Sequence, residues 1–360
     1  MAGSGRHRAA SRSPALFGGV VALLASLIAG ILLVRPFGSG PEGAPSRRHD
    51  SAPTTAPARN RTTATSVTPS TSPRLARRGT LVIHGAGDVN VQPDYIGVSP
   101  SNYDFMLSGV SALFTKDDLT VVNLECPASD IGTPLPKTFS FRCDPDALPY
   151  LKRGGVDVAN MANNHSWDLG PDGLVDTRRN VERAGMAAVG AGRDPDEAEE
   201  PAIFHLKGWA VAVVGIDEVI DPPDEVAGPE HPGTACGHDV PCMVDEIRRA
   251  AAGSDLVVVD IHWGVELDTQ PRGYQVDQAK RFVAAGADVI FGGHSHRLQP
   301  LSFVRHRPVF WSLGNFVWPH FSEEGARTAV ANVVVHPNGE IDAKLLPAYI
   351  ATSGHPELTG

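Results

Sequence analysis

Val289-Ile290-Phe291-Gly292-Gly293-His294-Ser295-His296 joins a short apolar run to a glycine pair and then to two histidines two residues apart. The run from Val289 to Gly292 has the length of a strand, and histidines at i and i+2 in strand-like backbone point to one side. The same pattern recurs outward along the chain. Further strand-length apolar runs are Leu81 to Gly85, Thr120 to Leu124, Val156 to Met161, Ala210 to Ile216, Leu256 to Ile261 and Val309 to Leu313. Between several of them, Phe105 to Phe114, Gly173 to Ala184, Val244 to Ala252 and Gln275 to Ala285 carry apolar residues at three and four spacing, which predicts amphipathic helices. Strands alternating with helices predict an α/β domain with substantial parallel sheet. After Pro308 the chain reads as antiparallel strands, with His336-Pro337-Asn338-Gly339 as a hairpin turn.

Polar residues gather where these strands end. Leu81 to Gly85 runs into Gly87 and Asp88, Thr120 to Val122 into Asn123-Leu124-Glu125, Val156 to Met161 into Asn163-Asn164-His165, and Leu256 to Ile261 into His262-Trp263-Gly264. Singly, each has a plain structural explanation: Asp88 a turn or helix cap, Glu125 a solvated loop charge, the asparagines turn residues, His262 a packed core histidine. With His294 and His296 there are five such strand ends, and the C-terminal edge of an α/β sheet is where ligands and catalytic groups collect. Carboxylate, amide oxygen and imidazole without thiolate suit divalent ions such as Mn, Fe, Zn, Ni or Co, and argue against a structural zinc. Such a set suffices for two ions sharing a bridging group, the arrangement that hydrolyses phosphate esters.

Gly87-Asp88, Asn123-Leu124-Glu125, Ala162-Asn163-Asn164-His165 with Asp168 and Gly170, His262-Trp263-Gly264 with Glu266, Gly293-His294-Ser295-His296 with Gln299-Pro300, and Ser312-Leu313-Gly314-Asn315-Phe316 occur in this order over about residues 80 to 320. In this the chain resembles the CapA family of poly-γ-glutamate capsule synthesis proteins, within the calcineurin-like metallophosphoesterase superfamily. The resemblance implies a metallophosphatase-like αββα sandwich with a two-metal site. It implies that Asp88 binds the first ion, that Glu125 bridges, that Asn164, His262 and His294 bind the second, and that His296 returns to the first. His165 is then the unligated histidine that stabilises the transition state or protonates the leaving oxygen, with Asp168 as its partner. Lys137, Phe141 and Arg142 resemble a family segment near the cleft, Arg142 being a candidate to hold an anionic group. Asn315 is a candidate to line the pocket or cap a turn. Asp88-Val89-Asn90 stands where the wider superfamily has Asp-x-His, and Glu125 where it has a bridging Asp, so a one-metal site stays open.

The 360 residues carry a formal net charge of −10, which argues against a nucleic-acid partner. That figure hides an asymmetry. Residues 1–79 hold 11 arginines, no lysine, Glu42 and Asp50, net +9, which leaves residues 80–360 with 20 basic and 39 acidic residues, net −19. Ala15 to Val34 is an uncharged apolar run of 20 residues, enough to span a hydrocarbon core of about 30 Å. Arg6, Arg8 and Arg12 before it predict a cytoplasmic tail (1–14) and an extracytoplasmic remainder. The run predicts a single-pass signal anchor in the cytoplasmic membrane. Cleavage around Ala25 to Gly30 and secretion is the competing reading. Residues 35–78, rich in Pro, Ser, Thr and Ala, predict a disordered linker, followed by the domain at 79–350 and a tail at 351–360. Four cysteines in an exported domain predict disulfides, paired by proximity as Cys126 with Cys143 and Cys236 with Cys242. Zinc binding by the four lacks any CxxC spacing.

Two functions follow. One is a metal-dependent hydrolase of a phosphoester or of a bond in an envelope polymer. The other is an accessory protein that binds a nascent anionic capsule polymer and assists its assembly or export, with other membrane proteins of a polymer synthase as partners. A glycosidase-type pair of Asp88 and Glu125 leaves the asparagine and histidines unexplained.

Overall fold

The computed structural model describes residues 78–220 and 225–360. The tail at 1–14, the span at 15–34 and all but the last residue of the linker lie outside the described residues. Among the described residues no helix is long and apolar enough to cross a membrane.

β1 (Leu81–Val89), β2 (Leu119–Leu124), β3 (Val158–Asn160) and β4 (Ala187–Val189) lie side by side in parallel. β5 (Ala191–Gly192) starts a small ribbon, β6 (Ala202–Leu206) and β7 (Trp209–Asp217) form a hairpin, and β8 (Gly233–Thr234) closes the ribbon with β5. β9 (Leu256–His262) and β10 (Val289–Gly293) follow, then the hairpin of β11 (Leu301–Val304) and β12 (Arg307–Phe310). β13 (Asn315–Val317), β14 (Arg327–Val335), β15 (Ile341–Thr352) and β16 (His355–Leu358) complete the chain. One sheet has the order β16-β15-β14-β1-β2-β3-β4, with β13 also on β1, and the other β11-β12-β10-β9-β7-β6.

Strand alternation sorts the apolar side chains into layers. Leu256 and Val258 of β9 meet Leu81, Ile83, Val121 and Phe291 in a core between the two sheets. Val257, Val259 and Ile261 point the other way, onto Met243 and Ile247 of the Val240–Gly253 helix and Phe282 of the Gly273–Ala285 helix. On the far side, Val122 and Ala159 pack on Leu151 of the Leu148–Arg153 helix and on Leu174 and Val181 of the Gly170–Arg183 helix. Helices therefore cover both outer faces, giving an αββα layering in a sheet-rich α/β fold. Each fully buried Val, Leu or Phe contributes about 1.5–3 kcal/mol of transfer free energy.

Both expected disulfides are formed, Cys126–Cys143 and Cys236–Cys242. The turn at 336–339 joins antiparallel β14 and β15, with Gly339 N donating to His336 O at 2.8 Å. Three expectations need correction. Phe105 to Phe114 is not one helix: a 3-10 turn at Pro100–Phe105 and a single turn at Ser111–Phe114 flank a bend. Gly109 sits so close to the last strand that a Cβ there would lie 2.4 Å from Pro356 O, so packing overrides helical spacing. The run Val309 to Leu313 leaves the sheet after Phe310. Residues 351–360 are not a tail: β15 extends to Thr352, and β16 pairs with it as an edge strand too short to register as a pattern.

Candidate metal centre

The five strand ends converge at one edge. Asp88 sits where β1 is paired on both sides, opposite Asn123 of β2 and Asn315 of β13. Two glycines permit this crowding. A Cβ on Gly87 would fall 1.9 Å from Gly314 O, and one on Gly293 would fall 2.6 Å from Asp88 Oδ1. His294 and His296 do converge, but not by strand alternation. The chain leaves β10 at Gly293, and both histidines adopt left-handed backbone, with φ 81° and 51°. That conformation costs a non-glycine residue about 1–3 kcal/mol and is found where function holds it.

Acceptor atoms face one another across this edge. His262 Nε2 lies 2.9 Å from Asn164 Oδ1, 3.2 Å from His294 Nδ1 and 3.5 Å from Glu125 Oε1. On the other side of Glu125, His296 Nε2 is 3.6 Å from Oε1, while its Nδ1 is 3.3 Å from Asp88 Oδ2. Glu125 thus belongs to two groups, one with His262 and His294, the other with Asp88 and His296. Both Glu125 oxygens and Asp88 Oδ2 are buried without a hydrogen-bond donor. Buried carboxylate oxygens left this way are costly unless a cation meets them.

The electrostatics agree. Burial, with Asp88 beside it, holds the Glu125 carboxyl well above the usual range. Burial also pushes Asp88 upward, but His296, His262 and Asn123 outweigh it and leave its pKa lowered. Burial carries His262 down to about 3 and His294 down to about 2, so both are neutral imidazoles with lone pairs to offer. Burial would also lower His296, yet Glu125 and Asp88 raise it to about 9. Neutral imidazoles, an amide oxygen and unpartnered carboxylates fit divalent ions.

Next to Asn164, His165 Nδ1 donates to Asp168 Oδ2 at 2.8 Å. Asp168 also accepts from Phe141 N at 2.6 Å and pairs with Lys137 Nζ at 2.5 Å. Lys137 reaches Asn164 O as well, at 2.7 Å. Of Lys137 and Arg142, it is Lys137 that contacts the dyad, and the cation in the wall of the cavity beside the cluster is Arg297. Arg142 donates to the carbonyls of Ser129, Ile131 and Gly132 and is absent from the wall of the cavity above the cluster. Asn315 does line that cavity, but its amide is committed: Oδ1 lies 2.9 Å from His296 Nδ1 and Nδ2 donates to Gly325 O. It orients His296.

Sequence reasoning assigned no role to Asn123, Asn163 or Glu266, although each lies inside a quoted motif. Asn123 Nδ2 donates to Asp88 Oδ1 at 2.8 Å and lies 3.0 Å from His262 Nδ1. Asn163 Nδ2 donates to Asn123 Oδ1, and its Oδ1 accepts from His165 N, tying cluster to dyad. Glu266 lines the cavity and helps to raise Glu125. Tyr95, Phe139, Trp318 and Phe321, also in the wall, carried no sequence signal.

Two facing sheets between helices, with a histidine, carboxylate and amide cluster at the strand ends, define a metallophosphatase-like α/β protein. The chain belongs to the family of the bacterial capsule synthesis protein PGA_cap, whose model matches residues 81–320. It is 29% identical over 256 residues to "Capsule biosynthesis protein CapA" of Bacillus anthracis, covering 69% of this chain and 62% of that one. It is 30% identical over 218 residues to "PGA biosynthesis protein CapA" of Bacillus subtilis (strain 168), covering 60% and 57%. A "Probable polyglutamine synthesis accessory protein" of Mycobacterium tuberculosis is 29% identical over 214 residues, covering 56% of each. The match spans about six tenths of the length of these relatives. The resemblance to the CapA family is thereby confirmed.

Proposed function

We propose that residues 79–350 form a metal-dependent hydrolase of phosphate esters that serves assembly of an anionic envelope polymer of the poly-γ-glutamate type. In this proposal a signal anchor at residues 15–34 holds the domain outside the cytoplasmic membrane. The carrying observation is a buried cluster of carboxylate, amide and imidazole groups, with carboxylate oxygens lacking any donor, and a histidine dyad beside it. Asp88, Glu125, Asn164, His262, His294 and His296 turn their polar atoms toward one another, and His165 stands in the cavity wall with Nδ1 tied to Asp168. Bound divalent ions supply Lewis-acid stabilisation of charge on a phosphoryl oxygen.

The chain's own residues supply the rest. Because Asp168 accepts the Nδ1 proton of His165, Nε2 is the ring atom that holds or gives a proton at the cavity. Lys137 fixes Asp168 and the Asn164 carbonyl together, so dyad and ligand share one anchor. Asn315 keeps the His296 ring in place. The capsule context is supported by the names of the relatives.

The test is to purify the full chain, measure bound Mn and Zn, and assay phosphomonoesters and phosphodiesters with His165→Ala beside it. The expected result is equal metal in both proteins and turnover lower by about 10²–10⁴-fold in the variant. No metal at millimolar Mn or Zn, or equal turnover, overturns the proposal. The second reading, a non-catalytic accessory protein that binds the polymer, is favoured by the relative named as an accessory protein. Metal binding without turnover on any phosphate ester would select it.

A further inference from the structure

The cavity above the cluster, about 240 Å³, changes character from floor to mouth. Its wall is a continuous path of rings. Phe141 is 4.5 Å from His165, Tyr95 is 4.8 Å from Phe141, and Trp318 is 5.5 Å from Tyr95 and 4.8 Å from His296, centroid to centroid. Phe321 extends the path to the mouth, 5.7 Å from Tyr95. At that mouth Phe139, Leu267 and Phe321 are 62%, 60% and 71% exposed, the three most exposed large apolar side chains among the described residues. Single exposed apolar residues are ordinary. Three at one cavity mouth mark a surface that a ligand covers.

The occupant can be narrowed. Polar groups in the wall are largely committed: Asn315 to His296 and Gly325, Ser322 Oγ to Gly325 N, and Arg297 Nη1 to His296 O. The donors that remain, the other Arg297 N–H groups, the Tyr95 hydroxyl and His165 Nε2, are few beside the area of ring surface and include a cation suited to a phosphoryl oxygen. Glu266 in the wall, and the net charge of −19 on residues 80–360, oppose a polyanion. The rings meet Tyr95 at 50°, 89° and 70°, and Phe141 meets Trp318 at 85°, so no parallel pair is set to sandwich a planar group. Tilted rings form a rounded trough, which suits a flexible chain.

We propose that this trough binds the aliphatic chain of a phosphate ester whose phosphoryl group sits on the metal-ligand cluster. The inference rests on the phosphoesterase reading and adds the class of substrate, an amphipathic alkyl or lipid phosphate.

Phosphonates keep the phosphoryl end and cannot be hydrolysed by such a site, so they test binding apart from turnover. Methyl-, propyl- and hexylphosphonate would be titrated calorimetrically into the full chain with Mn(II). Partial burial of each methylene predicts about twofold tighter binding per methylene, about 30-fold from methyl to hexyl. A flat series overturns the proposal, and so does phenylphosphonate binding as tightly as hexylphosphonate. The double variant Phe139→Ser/Phe321→Ser changes only exposed positions, and should reduce the hexyl-to-methyl preference at least about fivefold. An unchanged preference overturns the location. A γ-glutamyl oligomer that binds more tightly than hexylphosphonate overturns it in favour of the polymer. Chain-length dependence without turnover on any phosphate ester defeats the hydrolase reading alone, whereas turnover with a flat series defeats this inference alone.

Discussion

The ligand cluster that floors the site comes largely from strand ends, and the wall of the cavity beside it largely from short helical turns and loops; the two are built by opposite rules. Cluster residues such as Asp88, Glu125 and His262 are polar and fully buried, and Asn123 holds both Asp88 and His262. Wall residues such as Phe139 and Phe321 are apolar and mostly exposed, and no hydrogen bond dictates their rotamers. Under the proposed function, chemistry belongs to the floor, where position must hold to a fraction of an ångström. Under the same proposal selectivity belongs to the wall, where area counts for more than placement.

The sharpest way to break the contrast is His262→Ala. His262 Nε2 touches Asn164, His294 and Glu125 at once, so its loss should weaken metal binding by more than about 100-fold, beyond the 10–100-fold typical of outer-shell changes. Turnover should vanish with it. Metal analysis after gel filtration checks this, and a variant that keeps full metal content would dissolve the floor as a unit. Asp168→Asn is milder. It leaves every ligand in place but removes the carboxylate that fixes His165, so kcat should fall about 10–100-fold with metal content unchanged. A change in metal affinity instead would make Asp168 part of the floor's scaffold.

The same contrast explains what could be read from the sequence. Floor chemistry needs particular residue types just after strands, and Asp88, Glu125, Asn164, His262 and His294 stand out for that reason. His294 and His296 do converge, but left-handed backbone rather than strand alternation brings them together. Arg142 misled because nearness in sequence to a cleft segment says nothing about direction: its guanidinium turns to backbone carbonyls, while Lys137 in the same stretch turns inward. The trough was invisible. Tyr95, Phe139, Leu267 and Phe321 come from four separate segments, and an apolar residue in a loop or in a single helical turn such as Pro93–Ile96 matches no period. In the fold, the layering followed from alternation, whereas the bend at Gly109 depends on contact with β16, far away in the chain.

The disulfides give the gentlest probe of floor against wall. Cys126–Cys143 closes a loop of separation 17 that begins just after Glu125 and carries Lys137, Phe139 and Phe141, whereas Cys236–Cys242 closes one of separation 6. Chain entropy of the unfolded state predicts a loss of about 3 kcal/mol for Cys126→Ser/Cys143→Ser and about 2 kcal/mol for Cys236→Ser/Cys242→Ser. Denaturant midpoints would show the order. The site should respond unequally too. Freeing the first loop loosens Phe139 and Phe141 in the wall, while Asp88, His262 and His294 keep their strands. Alkylphosphonate preference should therefore drop a few-fold while Mn affinity stays within about threefold. An equal loss of both would mean that the loop holds Glu125 as firmly as it holds the wall, and that floor and wall are one unit.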